Sequence, residues 1–313
     1  MPIRPWEETG DSDTGDKSSR RREEVETLTE LFEQARAAQA QDPSRKLAPD
    51  RHPNRDFFIA DILDWALKDD RHSMEHPMFS LSKKPDHRVR HYERNGVHII
   101  VKPGADGMAT IWDKDVLIYA ISQLVEALNQ DRPISRTVRL TAYDLLVVTN
   151  RGTGGRPYDL LTAALERLKG TVIQTDIRTD GERERRGFGL IEEWRIVEKS
   201  PAGRMIAIEL TLSEWLYRAV LAREVLTLSR EYFRLDGGLE RRLYELGRKH
   251  CGYQPHWSVG LELLHKKSGS RAVLWKFREM LKKVTAADIL PGYRIQYEPD
   301  SDRVTFHQRP SGH

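Results

Sequence analysis

Histidine pairs are the first places in this chain where metal chemistry could occur. His72-Ser73-Met74-Glu75-His76 has the H-x-x-E-H spacing of an inverted zinc-protease motif. Such a site needs a helix that places both histidines on one face, and Pro77 indicates that the segment leaves helix there. His87 and His91 are also four residues apart, but three nearby arginines disfavour a bound cation. We therefore predict no metal site and no cofactor.

Two further patterns bear on catalysis. Residues 10–18, GDSDTGDKS, approach a phosphate-binding loop, but Asp16 stands where the pattern requires lysine, and the aspartates would repel phosphate. The H-x-H pairs that origin-nicking enzymes use with a nucleophilic tyrosine do not occur in the sequence. We therefore predict that the protein is not an enzyme. A nickase or a metallohydrolase built on the histidines is the alternative.

Residues 268–284, SGSRAVLWKFREMLKKV, have the pattern of a DNA-recognition helix. Ser270 is the predicted N-cap, and five bases against one acid follow it up to Val284. One face carries the apolar residues Leu274, Phe277, Leu281 and Val284. A neighbouring face carries Arg271, Trp275, Arg278 and Lys282. The apolar face would dock the helix and the basic face would meet DNA; a basic surface helix without that role is the alternative.

The predicted DNA-binding residues fall into two groups. The main group belongs to this helix and the turn before it, and comprises Lys267, Ser270, Arg271, Trp275, Lys276, Arg278, Lys282 and Lys283. The accessory group comprises Arg156, at the start of an earlier helix, and Arg183, Arg185 and Arg186, in the charged stretch GERERRGFG at residues 181–189. We predict that this stretch is a hairpin tip, which either touches DNA or is simply solvated.

The order of predicted elements indicates an α+β fold: two tandem winged helix-turn-helix domains after a largely disordered N-terminal tail. Each domain has three helices and a β-hairpin wing. The predicted divisions are a charged tail at 1–55 with one possible helix at 22–41, a first winged-helix domain at 56–212 for dimerisation or accessory DNA contact, a linking helix at 213–226, a second winged-helix domain at 227–308 as the main DNA reader, and a tail at 309–313.

Composition agrees with a DNA-binding protein whose charge is unevenly distributed. The chain of 313 residues has a net charge of +3, but from Thr227 onward sixteen Lys and Arg stand against ten Asp and Glu. The C-terminal quarter is thus net positive while the remainder is slightly negative, which favours a nucleic-acid-facing C-terminal domain. One cysteine and no long apolar run predict a cytoplasmic protein without a membrane segment.

Several motifs in the same order resemble the RepA-type plasmid replication initiators. The residues that carry the resemblance are Met74-Glu75-His76-Pro77-Met78-Phe79-Ser80-Leu81, Thr110-Ile111-Trp112-Asp113-Lys114-Asp115, Thr153-Gly154-Gly155 with Tyr158 and Leu165, Arg234-Leu235-Asp236-Gly237-Gly238-Leu239-Glu240-Arg241-Arg242-Leu243-Tyr244, His250-Cys251-Gly252, and Lys267-Ser268-Gly269-Ser270. The resemblance covers roughly Phe57 to Phe306.

The resemblance implies a plasmid replication initiator. Such a protein binds repeated double-stranded sites (iterons) at an origin, melts the DNA locally and recruits the host replicative helicase or its loader. The resemblance also implies exchange between monomer and dimer, and autorepression of its own gene. A winged-helix transcriptional repressor without initiator activity is the alternative, because the fold and the DNA-binding mode would be the same.

Overall fold

The structure, a computed structural model, describes residues 47–52, 60–61, 77–94, 97–179, 182–198, 205–221, 226–252 and 254–309. The helix expected at 22–41 and the histidine motif at 72–76 lie outside these residues. Residues 47–52, which the sequence assigns to the tail, contact the folded part. The Ala48 amide donates to the Arg234 carbonyl over 2.7 Å, and the Arg51 amide donates to the side chain of Asn150 over 2.8 Å.

The α-helices of the described residues follow the apolar periodicity of the sequence. They are α1 (Lys114–Asn129), α2 (Ala142–Val148), α3 (Gly155–Gly170), α4 (Glu214–Leu221), α5 (Gly238–Cys251), α6 (Leu261–Ser268) and α7 (Leu274–Ala287). The predicted linking helix at 213–226 is too long. It ends by Leu221 in the described residues, and Leu226 already pairs in a strand.

Within the described residues, the strands form four antiparallel sheets. They are β1 (Ala60–Asp61), β2 (Arg90–Arg94), β3 (Val97–Lys102), β4 (Thr137–Thr141), β5 (Val172–Thr179), β6 (Glu182–Gly189), β7 (Ile191–Glu198), β8 (Met205–Leu212), β9 (Leu226–Thr227), β10 (His256–Gly260), β11 (Tyr293–Glu298) and β12 (Arg303–Gln308). The strand orders are β1-β9, β2-β3-β5-β6, β4-β8-β7 and β10-β12-β11.

The same order of elements occurs twice: helix, strand, helix, helix, strand, strand. The first series is α1, β4, α2, α3, β7, β8, and the second is α5, β10, α6, α7, β11, β12. In each series the first strand pairs with the last. The buried positions also correspond, since Leu140 and Ala142 occupy the places in the first series that Val259 and Leu261 occupy in the second. The hairpin β5–β6 is inserted into the first series and joins β2 and β3.

The stretch predicted as a hairpin tip is a strand, so that prediction is wrong. Residues 182–189 form β6, which pairs with β5 from Thr179↔Glu182 to Val172↔Gly189. β6 is the edge strand of its sheet. Charged side chains are typical of edge strands, because they discourage pairing with another chain. The high charge of this stretch therefore marked an edge strand rather than a loop.

The two series pack on each other through a buried polar contact as well as a shared apolar core. Lys114, which begins α1, is fully buried, and its ammonium lies 2.7 Å from a carboxylate oxygen of Glu245 in α5. The Tyr232 hydroxyl donates to the same oxygen over 2.8 Å. All described residues lie within one compact unit, Lys46–His313. The predicted division of the chain at residues 212, 226 and 308 stays a prediction.

Candidate nucleic-acid interface

Helix α7 docks through the face that its sequence predicts. Phe277 and Leu281 are fully buried and Val284 is 6% exposed, while Leu274 is half-buried. The spacing of these residues keeps them on one side, so burial of their apolar surface fixes the helix on the domain. The opposite side faces solvent.

The helix begins three residues later than the sequence predicts. Leu274 is its first residue and Val273 its N-cap position, rather than Ser270. The Ser270 hydroxyl accepts a hydrogen bond from the Ala272 amide over 3.3 Å. The Ser268 hydroxyl accepts one from the Ser270 amide over 3.1 Å. These local hydrogen bonds hold the backbone in turns, as serine often does. Ser270 thus caps a turn between α6 and α7, and Arg271 lies outside the helix.

Arg271 is engaged by the first part of the chain. Its guanidinium lies 3.1 Å from the Asp86 carboxylate, which is 2% exposed and also bonds Arg90 over 2.9 Å. Burial would raise the pKa of Asp86, but the hydrogen bonds from Arg90 and the amide of Arg88, with the nearby charges, lower it. The carboxylate therefore stays charged between two guanidiniums. Arg271 anchors the start of α7 in this arrangement.

Arg278 is likewise engaged, by the hairpin β11–β12. Its guanidinium donates to the Asp302 carboxylate over 2.7 Å and to the Tyr297 hydroxyl over 3.0 Å. The Tyr297 hydroxyl donates to Asp302 in turn, and these two hydrogen bonds lower the pKa of the Asp302 carboxyl. Arg278 therefore joins the helix to the hairpin, and its charge is largely offset by Asp302.

The exposed surface of α7 carries lysines and one tryptophan. The ammonium of Lys276 lies 5.7 Å from the centroid of the Trp275 ring, which is 62% exposed. Lys282 pairs with Glu279 over 3.2 Å across exposed side chains, and Lys283 is exposed. Since α7 has no acid in its first turn, its surface toward solvent is positive. We refer to Trp275, Lys276, Lys282 and Lys283 as the α7 surface.

Lys267, predicted to bind DNA, is buried. It is 4% exposed, with its ammonium 5.6 Å from the Trp257 ring centroid and 3.4 Å from a ring nitrogen of His250. Its backbone carbonyl accepts hydrogen bonds from the buried guanidinium of Arg242. These contacts hold α6 against its neighbours, so Lys267 has a structural role. The basic run at the end of α6 suggested exposure that the fold does not provide.

The accessory residues lie outside α7, in the helix α3 and the strand β6. Arg156 is exposed in the first turn of α3. Arg183, Arg185 and Arg186 belong to β6, opposite Arg178, Asp176 and Thr175, and Arg186 is exposed. Their assignment to DNA contact stays a prediction, now from a strand instead of a tip.

A basic groove beside α6 was not predicted from the sequence. It has a volume of about 720 Å³ and lies between β2 and α6, with Arg88, His91, Lys266 and Arg271 among its lining residues. Arg88 and Lys266 are exposed. The signal was present in the arginines around His87 and His91, but α6 is more than 160 residues away in sequence. Only the fold brings these bases together beside the start of α7.

Among the described residues, no group of three or more His, Cys, Asp or Glu is arranged to hold a metal ion. None of the helices in this part of the chain is both long and apolar enough to cross a membrane.

Comparisons with known proteins give the family of this chain. Residues 68–295 match the model of the family described as Replication initiator protein A. A protein of Wigglesworthia glossinidia brevipalpis, provisionally described as a replication protein, is 40% identical over 259 residues, which cover 82% of this chain and 94% of that protein.

Solved structures with a similar fold include two crystal structures of domains 2 and 3 of RctB. One has a TM-score of 0.57 at 12% identity and covers 80% of this chain and 98% of that chain. The other has a TM-score of 0.52 at 13% identity and covers 74% of this chain and 95% of that chain. At this identity the similarity shows a shared fold alone.

Proposed function

We propose that this chain, which belongs to the Replication initiator protein A family, initiates plasmid replication by binding repeated double-stranded sites at an origin. The observation that carries the DNA-binding part is the α7 surface, where lysines stand exposed on a helix whose opposite face is fixed in the core. Family membership supports the role in replication initiation.

We propose that each of the two element series is a winged helix-turn-helix unit. The support is their shared order and the pairing of the first strand with the last in each. In this arrangement α3 and α7 are the recognition helices, and the hairpins β7–β8 and β11–β12 are the wings. A recognition helix enters the major groove while backbone contacts fix its register.

The second unit is proposed as the main DNA reader. Lys276, Lys282 and Lys283 are exposed on α7, whereas the exposed Arg156 on α3 is followed by the exposed acid Asp159. Phosphate contacts from lysines supply most of the non-specific affinity of a DNA-binding protein. The groove bases Arg88 and Lys266 extend the positive surface beyond α7, and we propose that they contact the backbone next to the site.

The proposed mechanism uses binding energy rather than catalysis. A protein that bends or untwists its site is favoured where the sequence makes the deformation inexpensive, as at flexible pyrimidine–purine steps. Binding of several copies to neighbouring sites would add their deformations and open the origin locally. We propose that the opened strand then receives the host replicative helicase or its loader in the cytoplasm.

Self-association belongs to the same proposal. Monomers would occupy the origin repeats and dimers would occupy the promoter of the gene, which would repress it. A winged-helix repressor without initiator activity is the second candidate, because α7 would bind operator DNA in the same way.

A band-shift titration tests the binding proposal. The protein is titrated onto the DNA that flanks its gene, with a scrambled fragment of the same composition as the control, at near-physiological salt. A ladder of evenly spaced shifted bands is expected from repeated sites. A single shifted band on promoter DNA alone would favour the repressor, and equal binding to the scrambled fragment would contradict the proposal.

A replicon assay separates the initiator from the repressor and from an enzyme. The gene and its flanking DNA are placed on a plasmid that has no other origin, and maintenance of that plasmid is scored. A repressor alone would not maintain it. Incubation of the protein with supercoiled origin DNA and Mg²⁺ is expected to leave the circles intact, and nicked circles would mean that the protein is an enzyme.

A further inference from the structure

Two exposed apolar side chains occur at the start of α7. Val273 is 58% exposed and Trp275 is 62% exposed, the highest values among the large exposed hydrophobic side chains of the described residues. Single exposed apolar residues are ordinary, but these two lie only two positions apart in the sequence and include the largest side chain type. Their exposure suggests that another molecule covers them.

The fold holds this pair in a fixed position. Gly269, before the helix, has a φ of +69° and packs so closely on Pro77 that a Cβ would lie 2.4 Å from that ring. Arg271 is bound to the buried Asp86, and Phe277, two residues after Trp275, is fully buried. The backbone on both sides of the pair is therefore anchored. A backbone that is already fixed loses little entropy when it binds, which suits a specific contact.

The charges around the pair indicate a polyanion. Lys276 stands over the Trp275 ring, Lys282 and Lys283 follow on the exposed part of the same helix, and the first turn contains no acid. The occupant must therefore combine many negative charges with an apolar group. Duplex DNA meets this requirement in its major groove, where the 5-methyl group of thymine is the apolar feature of the base edges.

We infer that Val273 and Trp275 recognise thymine by packing on its 5-methyl group in the major groove. This inference rests on the proposed binding of α7 to DNA and gives that site its base preference. In this division of roles the lysines of the α7 surface bind phosphates and contribute affinity for any sequence. The apolar pair contributes specificity at thymine positions.

DNA with uracil in place of thymine isolates the methyl group. The fragment that flanks the gene is prepared with thymine or with uracil, and the full chain is titrated onto each by fluorescence anisotropy. Loss of one buried methyl contact is expected to raise the Kd of the wild type about fourfold. Trp275→Ala is expected to lower the ratio between the two Kd values, because Val273 alone then remains to pack on the methyl group. Trp275→Phe is expected to keep part of the preference.

Lys276→Ala is the matched control, because it changes the adjacent exposed residue. It is expected to weaken binding to both fragments and to keep the wild-type ratio between them. Circular dichroism checks that each variant is folded.

Two results would overturn the inference. These are equal wild-type affinity for the two fragments and a wild-type ratio in Trp275→Ala. If Trp275→Ala keeps this ratio and also changes the sedimentation mass of the protein, the exposed pair is a self-contact instead. Failure of the wild type to prefer the flanking DNA over scrambled DNA would instead contradict the proposed function itself.

Discussion

At the scale of single residues, a substitution in a buried ion pair should lower the free energy of unfolding most. The Asp115 carboxylate is 1% exposed and bonds Arg241 over 2.7 Å and Arg151 over 3.0 Å. Burial would lower the pKa of Arg241, but the charge of Asp115 raises it above its ordinary value. Arg241 thus stays charged inside the protein, and loss of Asp115 would leave this buried charge without its carboxylate.

Asp115→Ala is expected to lower the free energy of unfolding by about 3–5 kcal/mol, since it leaves Arg241 buried without its carboxylate. Asp236→Ala is the matched control, because Asp236 pairs with Lys83 over 2.8 Å but is 75% exposed. The control should change the free energy by less than about 1 kcal/mol. Urea denaturation measures both variants, and equal losses would show that the buried pair is not a special contributor.

Cys251 gives a prediction on reactivity and pH. Burial raises the pKa of its thiol to about 11, and its sulfur lies 3.6 Å from the Phe306 carbonyl oxygen. Because the thiolate is the reactive form, the folded protein at pH 8 should react with a thiol reagent roughly a hundredfold more slowly than a free cysteine does. The rate should rise as the pH approaches 11.

Absorbance of the released thiol reagent measures this rate directly, since the chain has one cysteine. The unfolded protein in guanidinium is the control and should release one equivalent rapidly. Rapid reaction of the folded protein at pH 8 would contradict the described burial of Cys251.

At the scale of elements, the turn between α6 and α7 determines the direction of α7. Gly269 has a φ of +69° and lies against Pro77. Gly292 has the same φ, but no atom beyond its chain neighbours lies within 4 Å of the position that a Cβ would take. The two glycines therefore have the same backbone requirement and differ in crowding.

Gly292→Ala is expected to lower the free energy of unfolding by about 1–2 kcal/mol, which is the penalty for a side chain in the left-handed region. Gly269→Ala is expected to lower it by about 1–3 kcal/mol more, because the new methyl group collides with Pro77. Chemical denaturation of the two variants gives the difference. Equal losses would mean that the contact between the turn and Pro77 is loose.

The same turn shows how far sequence reasoning extends at this scale. The apolar face of α7 was predicted correctly, because periodicity determines which residues face the core. The start of α7 was not, because hydrogen bonds from Ser268 and Ser270 to nearby amides compete with the helix. β6 was mistaken for a loop because composition alone does not separate a charged edge strand from a charged turn.

At the scale of the whole molecule, the contacts between the two element series could not be predicted. Lys114 and Glu245 are 131 residues apart, and neither residue type is expected in a core. The groove lined by Arg88 and Lys266 could not be predicted either, because it forms between elements that are distant in sequence. Local patterns identify elements, whereas these contacts depend on how distant elements meet. For the same reason two predicted DNA contacts, Arg271 and Arg278, proved to be engaged by Asp86 and Asp302.

These contacts predict that the two series unfold together. Two buried ion pairs join α1 to α5, Lys114 with Glu245 over 2.7 Å and Asp115 with Arg241 over 2.7 Å. Either series alone would expose these surfaces. Calorimetry should therefore show one cooperative transition, with near- and far-ultraviolet circular dichroism changing at the same urea concentration. Two separated transitions would show that the series are independent domains.

If the α7 surface binds DNA, its lysines must contribute to the salt dependence of binding. The Kd of the full chain for the DNA that flanks its gene is measured over a range of salt concentrations, for the wild type and for two variants. Lys276→Ala/Lys283→Ala removes two exposed bases, and Glu279→Gln removes the acid that pairs with Lys282 on the same helix.

We expect the double variant to bind more weakly and its logarithmic salt slope to fall by about two, one for each lost phosphate contact. We expect Glu279→Gln to bind more tightly than the wild type. If both variants keep the affinity and the salt slope of the wild type, the DNA-binding surface is not on α7.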